Sequence, residues 1–289
     1  MYRRVEFGRI DGWADLRGLS YAGSVGRELA RTAGGDRLFG LSAVELRGVR
    51  LAGLDLRGSH LDHLKIFEGV VDDCLFDDSS CSDMGVWATS FTNCRFAGAD
   101  LSSSSFGAWY EGKGNLFQGV DFSRADLRGL ATSTARYLGC DFSHARLDGV
   151  NFWQSTLVDC TFAGRLRDVV FDGRVLGDEK PDPNPMLNVD LSAAQLDGVN
   201  FRKVPFDNVK LPADPDVLPV SSVGKLDSAL ARVAGRDDVG AKVVRSRFGR
   251  MKLTLESGEP QVLINVRDLR RTSPQAESLA RELLGISTH

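Results

Sequence analysis

Residues 119–150, GVDFSRADLRGLATSTARYLGCDFSHARLDGV, decide the fold. Phe122, Leu127, Thr132, Tyr137, Phe142 and Leu147 recur at every fifth position. The residue two before a centre is small or modestly apolar, as at Val120, Ala125, Cys140 and Ala145, and Asp often fills the gap, as at Asp121, Asp126 and Asp141. Working outward, the same rhythm runs back through Phe106, Leu101, Phe96 and Phe91 to Leu41, with Cys81 the one small centre. It runs forward through Phe152, Leu157 and Phe162, then Leu166, Phe171 and Leu176, and closes with Met186, Leu191, Leu196, Phe201, Phe206 and Leu211.

A helix repeats its face every 3.6 residues and a strand every 2, so neither explains a period of five. A coil with corners does. The central residue and the one two before it then point inward, and each buried Phe or Leu contributes about 2 kcal/mol. Successive turns stack like parallel strands about 4.8 Å apart. With four units to a turn, roughly eight turns make a rod on the order of 40 Å long.

The units ADLSS (99–103), VDFSR (120–124), ADLRG (125–129), CDFSH (140–144) and VNFWQ (150–154) resemble those of the pentapeptide-repeat proteins. The resemblance covers residues 41–211 and touches WADLRGLSYAG (13–23), where Leu16 and Tyr21 keep the register of Leu41. It implies an all-β solenoid, a right-handed quadrilateral parallel β-helix. Under that geometry Cys74 and Cys94, and likewise Cys140 and Cys160, are separated by four units and stack on one inner face. These thiols, with Cys81, read as small buried hydrophobes rather than a disulfide or metal set, since no CxxC occurs.

Interruptions of the rhythm mark candidate binding features. GAWYEGKGN (107–115) replaces one unit and adds a residue, and sets Trp109 and Tyr110 side by side with Glu111 and Lys113. The two rings cannot both turn inward easily, so the segment is either an exposed contact point or a lid in which Trp109 covers the local core. VVDDCLFDDSSCSD (70–83) concentrates Asp72, Asp73, Asp77, Asp78 and Asp83 around Phe76. That run offers phosphate-like charge or a cation site, or is a solvated corner. FAGRLRDVVF (162–171) is one residue short and turns Arg165 and Arg167 outward. GDEKPDPNPM (177–186) reads as an excursion that leaves the coil unbroken, because Phe171 and Leu191 remain four units apart.

The ends of a rod of stacked strands need covering. Residues 1–40 read as an N-terminal cap with a short helix from Ser24 to Gly34 and Gly35. PADPDVLPV opens a linker over 212–221. Residues 222–289 read as a small α+β unit for capping or dimerisation. In it SVGKLDSALARVAG is helical, MKLTLESGEPQVLINV is a hairpin turning at SGEP, and Ser273–Pro274 start a last helix. Arg245, Arg247, Arg250, Lys252, Arg267, Arg270 and Arg271 give this unit a basic side, for an acidic partner, for nucleic acid, or simply solvated.

The chain of 289 residues is 42% hydrophobic and 26% charged, ordinary for a globular protein. Its net charge of −3 is uneven: residues 41–211 hold 17 Lys/Arg against 24 Asp/Glu. The start, MYRRVEFGRIDGW, has no apolar core of a signal peptide, and no stretch is long enough to span a membrane, so a cytoplasmic protein is expected. His60, His63, His144 and His289 form no ligand motif, and no P-loop, GxGxxG after a strand or GxSxG occurs. The expectation is a non-enzymatic scaffold, without metal or cofactor and without direct nucleic-acid contact, that binds a partner protein through its loops and C-terminal unit. The resemblance adds an alternative: a DNA-mimicking binder of DNA gyrase or topoisomerase IV that protects against topoisomerase-targeting antibiotics, homodimeric through its C-terminal end.

Overall fold

Inward side chains at every fifth position close a coil whose turns hydrogen-bond to one another in register. In the computed structural model, described for residues 8–20, 37–39, 43–174, 186–204, 206 and 208–287, short strands pair in parallel one turn above another. Val71 lies beside Phe91, Phe117 beside Tyr137, and Tyr137 beside Leu157. Four inward centres, for example Phe76, Cys81, Val86 and Phe91, fill one turn before Phe96 stacks over Phe76 at 4.5 Å. The protein is a parallel β-helix solenoid.

Phe96, Phe122, Phe142 and Phe162 are fully buried and stacked, with ring centroids 5.7, 5.1 and 4.8 Å apart. The partner positions two before each centre are buried as well, among them Ala99, Ser104, Ala125 and Cys140. Cys74 and Cys94 sit one turn apart with their thiols in contact, as do Cys140 and Cys160, and all five cysteines are free and buried. Burial pushes the Cys81 thiol up to about 12, so it stays protonated and inert. The corner after one face turns through the left-handed region in turn after turn: Asp78, Gly98, Arg124, His144 and Gly164 all have positive φ.

Period-five register tells inward from outward but not which side of the coil a unit occupies, and four expectations change for that reason or a related one. First, the coil begins before residue 41. Ala14 pairs in parallel with Leu54, and Ser20 bridges His60, so the chain travels twice the usual length of a turn between partners. Residues 13–20 are therefore two sides of the first turn, and one turn's length of chain is inserted before Ala43–Arg47 resumes it. The expected helix from Ser24, with Tyr21 and Leu41, lies outside the described residues. Second, 107–115 replaces no unit. Ser105 bridges Ala131 and Ser90 pairs with Leu116, so Phe106 and Phe117 occupy consecutive sides and the segment is an insertion between them. Third, Phe171 stacks at 5.1 Å on Phe201, six units further along the chain, and not on Leu191. The excursion of 177–186 adds two units' length, which leaves the count of five intact and hides the change of side. Leu176 and residues 177–185 lie outside the described residues, and Met186 is buried in the core.

Fourth, the C-terminal unit contains no local hairpin. Helices α1 (Val223–Val233), α2 (Val239–Glu256) and α3 (Pro274–Leu284) pack around Leu226, Phe248 and Leu279. The alternation in MKLTLE belongs to the end of α2, which Asp238 starts by accepting from Ala241 N at 2.9 Å. Ala241, Val244, Phe248 and Leu255 form its buried stripe at helical spacing, while Leu253 is 65% exposed. The strand Val262–Asn265 pairs instead with Val217–Val220, so the last part of the expected linker is a strand. The unit sits directly on the rod: Val217 and Leu263 join the rod's core, and buried Asn265 Nδ2 donates to Leu196 O at 2.6 Å.

Candidate protein-interaction surface

One side of the coil carries rings on its outer face as well as its inner one. The residue after the inward centre points out, and on this side Arg47, Phe67 and Trp87 follow Leu46, Ile66 and Val86 at intervals of one turn. Phe67 and Trp87 stack 4.4 Å apart and nearly parallel. The Arg47 guanidinium lies 4.0 Å above the Phe67 ring, at cation–π distance. Gly85 makes room for this arrangement: a Cβ there would stand 2.4 Å from the Trp87 ring, so the indole lies flat across the sheet.

The insertion continues the same surface. Tyr110 and Lys113 exchange two backbone hydrogen bonds of 3.0 Å around Glu111 and Gly112, both at positive φ, which is a two-residue hairpin turn. The Tyr110 ring meets Phe67 edge-on at 5.6 Å. Trp109 is 55% exposed and is held by its Nε1, which donates to Thr134 Oγ1 at 2.5 Å, while Thr134 donates to Gly107 O at 3.0 Å. Asn115 pins the exit. Its Nδ2 donates to Val86 O and Phe106 O at 2.8 Å and its Oδ1 accepts from Thr89 N at 2.9 Å, all in the interior. Trp109 therefore does not cover the core; it stands on the surface, fixed by polar contacts. Glu111 and Lys113 are exposed at the tip.

The other candidate residues fall elsewhere. Asp72 is half-buried, Asp73 and Asp78 are exposed, and none of the three has an ion-pair partner among the described residues. Asp77 is not part of a presented acidic cluster. It is buried, accepts from Ala97 N at 3.1 Å, and pairs with Arg95 at 3.1 Å; burial holds its carboxyl above the usual aspartate range. Arg165 reaches Asp197 at 3.2 Å, and Asp197 in turn meets Arg271 of the C-terminal unit at 2.5 Å. Arg167 lies 3.6 Å from Asp168, which also pairs with Arg271. These arginines belong to a charge network at the junction of rod and C-terminal unit, on a different side from the rings.

About half of the rod's acids, among the described residues, are paired with an arginine or lysine. Asp15 pairs with Arg17, Asp55 with Arg57, Asp126 with Arg128 and Arg146, Asp172 with Arg174 and Arg202, and Asp190 with Lys210. Sequence reasoning singled out Trp109 and Tyr110 as an interruption of the repeat. It missed Phe67 and Trp87, although their one-turn spacing with Arg47 was available as a signal, because attention to the inward positions passes over a ladder one residue later.

Comparisons with known proteins agree with the repeat. The family model described as pentapeptide repeats matches in eight copies, over residues 136–164. Among solved structures, the chain is similar to HetL, a pentapeptide repeat protein involved in heterocyst differentiation regulation from the cyanobacterium Nostoc sp. strain PCC 7120. The identity is 16%, over 65% of this chain and 90% of that one, with a TM-score of 0.29. It is also similar to QnrB1, a plasmid-mediated fluoroquinolone resistance protein (16% identity, 54% and 83% covered, TM-score 0.25). A third is Rfr23 from the cyanobacterium Cyanothece 51142, at 16% identity, 40% and 82% coverage and a TM-score of 0.22. No curated protein matches the chain. With inward side chains recurring at every fifth position and a family model matching over residues 136–164, the chain carries pentapeptide repeats.

Proposed function

We propose that this protein is a non-enzymatic interaction scaffold whose rod presents the Phe67–Trp87–Tyr110–Trp109 surface to a partner protein. The observation that carries the reading is the outward ring ladder with the pinned hairpin beside it. Aromatic side chains held flat on a rigid sheet lose little entropy on binding and desolvate well, which is why they dominate interface energetics. The right-handed, square-sectioned coil of the family is part of this proposal, as is a cytoplasmic setting in which no cofactor is needed. Among the described residues no helix is long and apolar enough to cross a membrane.

The second reading, a DNA-mimicking binder of gyrase or topoisomerase IV that is dimeric through its C-terminal unit, draws on unpaired Asp72, Asp73 and Asp78. It is weaker, because a phosphate mimic needs rows of unneutralised acids and about half of the rod's described carboxylates face an arginine or lysine, Asp55, Asp126 and Asp172 among them. The two readings separate cleanly. Affinity capture with wild type and with the double variant Trp87→Ala/Trp109→Ala should recover a protein that the double variant loses and that Asp73→Asn/Asp78→Asn retains. Capture unaffected by loss of both rings sinks the aromatic surface. Protection of gyrase supercoiling from a quinolone, abolished by the two Asp→Asn changes, would instead establish mimicry.

A further inference from the structure

The junction between rod and C-terminal unit contains a groove that the aromatic surface does not involve. Helix α2 runs along it, and the rod contributes Gly198 and Asn200 opposite. The groove divides at Arg247 and Arg250 into cavities of about 440 and 260 Å³. Apolar atoms of Leu263, Leu269 and Val243 form its floor, and cations form its rim.

The charges on that rim are unequal. Arg271 is already engaged by Asp168 and Asp197. Lys242, Arg247 and Arg250 have no ion-pair partner among the described residues, and Arg250 donates only to Ser246 O of its own helix, at 3.4 Å. The remaining carboxylate, Asp268, is half-buried and accepts from Gly198 N at 2.9 Å. Three cations without an ion pair thus outnumber the one groove carboxylate left, Asp268, which already accepts a backbone N–H and sits near Arg247 and Arg271, and the guanidinium fork suits bidentate recognition of an oxyanion.

The shape selects among anions. From Lys242 to Thr254 the helix rises about 18 Å, which is the span of about five residues of extended chain. A compact anion would fill only part of it. A nucleic-acid duplex would have to lie against a rod with 24 acids and 17 bases in residues 41–211, and against Asp168 and Asp197 beside the groove. We infer that this groove binds an extended acidic segment of a partner protein, its carboxylates meeting Lys242, Arg247 and Arg250 and its backbone lying over the apolar floor.

Fluorescence anisotropy of fluorescein-labelled octaglutamate with the full chain tests this. Saturable binding is expected, stronger at about 50 mM than at about 200 mM salt because part of the attraction is screened. The double variant Arg247→Glu/Arg250→Glu should weaken it at least tenfold, and Arg247→Gln/Arg250→Gln by less, with both variants melting as wild type does since these side chains are exposed and unpaired. Trp109→Ala/Tyr110→Ala should leave it unchanged, which separates this site from the aromatic surface. Absence of saturation at millimolar peptide, equal binding by both arginine variants, or tighter binding of an octathymidylate or a short duplex would each overturn the inference.

Discussion

At the level of single residues, the inserted hairpin depends on Asn115. Its amide satisfies carbonyls of Val86 and Phe106 and an N–H of Thr89 in a region closed to water. Buried polar groups left without partners cost more than the bonds themselves contribute. Asn115→Ala should therefore destabilise the protein by about 3 kcal/mol, whereas Glu111→Ala at the exposed tip should change stability by no more than about 0.5 kcal/mol. Amide exchange of Gly107–Gly114 should accelerate in Asn115→Ala, because the exit of the loop is no longer fixed. Equal denaturation midpoints for the two variants would show that the hairpin holds itself. Nothing in the sequence around GKGN distinguishes this asparagine from a turn residue. Its role comes from backbone groups of Val86 and Thr89 on the preceding turn and of Phe106 across the insertion, brought together only when the coil closes.

At the level of elements, the repeat made the coil legible and concealed its stacking order. Inward positions such as Phe96 and Phe142 follow from the period alone, since burial alternates with it. Which units stack does not follow, because inserting a whole number of units preserves the rhythm; that is why Phe171 finds Phe201 and Leu16 lies a turn from Leu56. In the C-terminal unit the short alternation in MKLTLE imitates a strand. The longer helical stripe from Ala241 to Leu255 outweighs it, with Asp238 fixing where the helix starts. The strand so displaced, Val262–Asn265, fastens the unit to the rod through Asn265 and Leu196 O. Asn265→Ala leaves that carbonyl buried and unpaired, at a cost of about 1–3 kcal/mol. Hydrogen exchange should rise in Val217–Val220 and Val262–Asn265 while amides in the Phe91–Phe142 region stay protected. A uniform rise across the rod would mean instead that rod and unit unfold as one cooperative body.

For the whole molecule, the alternation of acids with bases along the coil makes stability depend on pH with a definite sign. The Arg57 guanidinium holds the Asp55 carboxyl below the usual aspartate range, and Arg128 does the same to Asp126. Burial alone would raise Asp172, yet hydrogen bonds from Arg174 keep it low. Hydrogen bonds from Ser192, with Lys210 behind them, bring Asp190 down to about 2. In each case the folded state binds its proton less readily than the unfolded chain, whose aspartates titrate near 3.8. Their contribution is therefore complete above about pH 4 and is lost as pH falls through the lower native values toward 2. Asp77 and Asp268 act the other way: burial raises both, so they favour the fold when protonated and oppose it as pH rises. The depressed group is the larger, so acidification should destabilise. The melting temperature should be nearly flat from pH 5 to 7 and fall between pH 4 and 2.5, with net proton uptake on unfolding across that lower range. In Asp172→Asn the fall should be shallower from a lower starting stability, because that site no longer titrates while Arg174 and Arg202 lose their shared carboxylate. A melting temperature that rises as pH drops from 4 to 2.5 would show that Asp77 and Asp268 outweigh the paired carboxylates, and that the regular Asp–Arg pairs are a consequence of the corner geometry rather than a support of the rod.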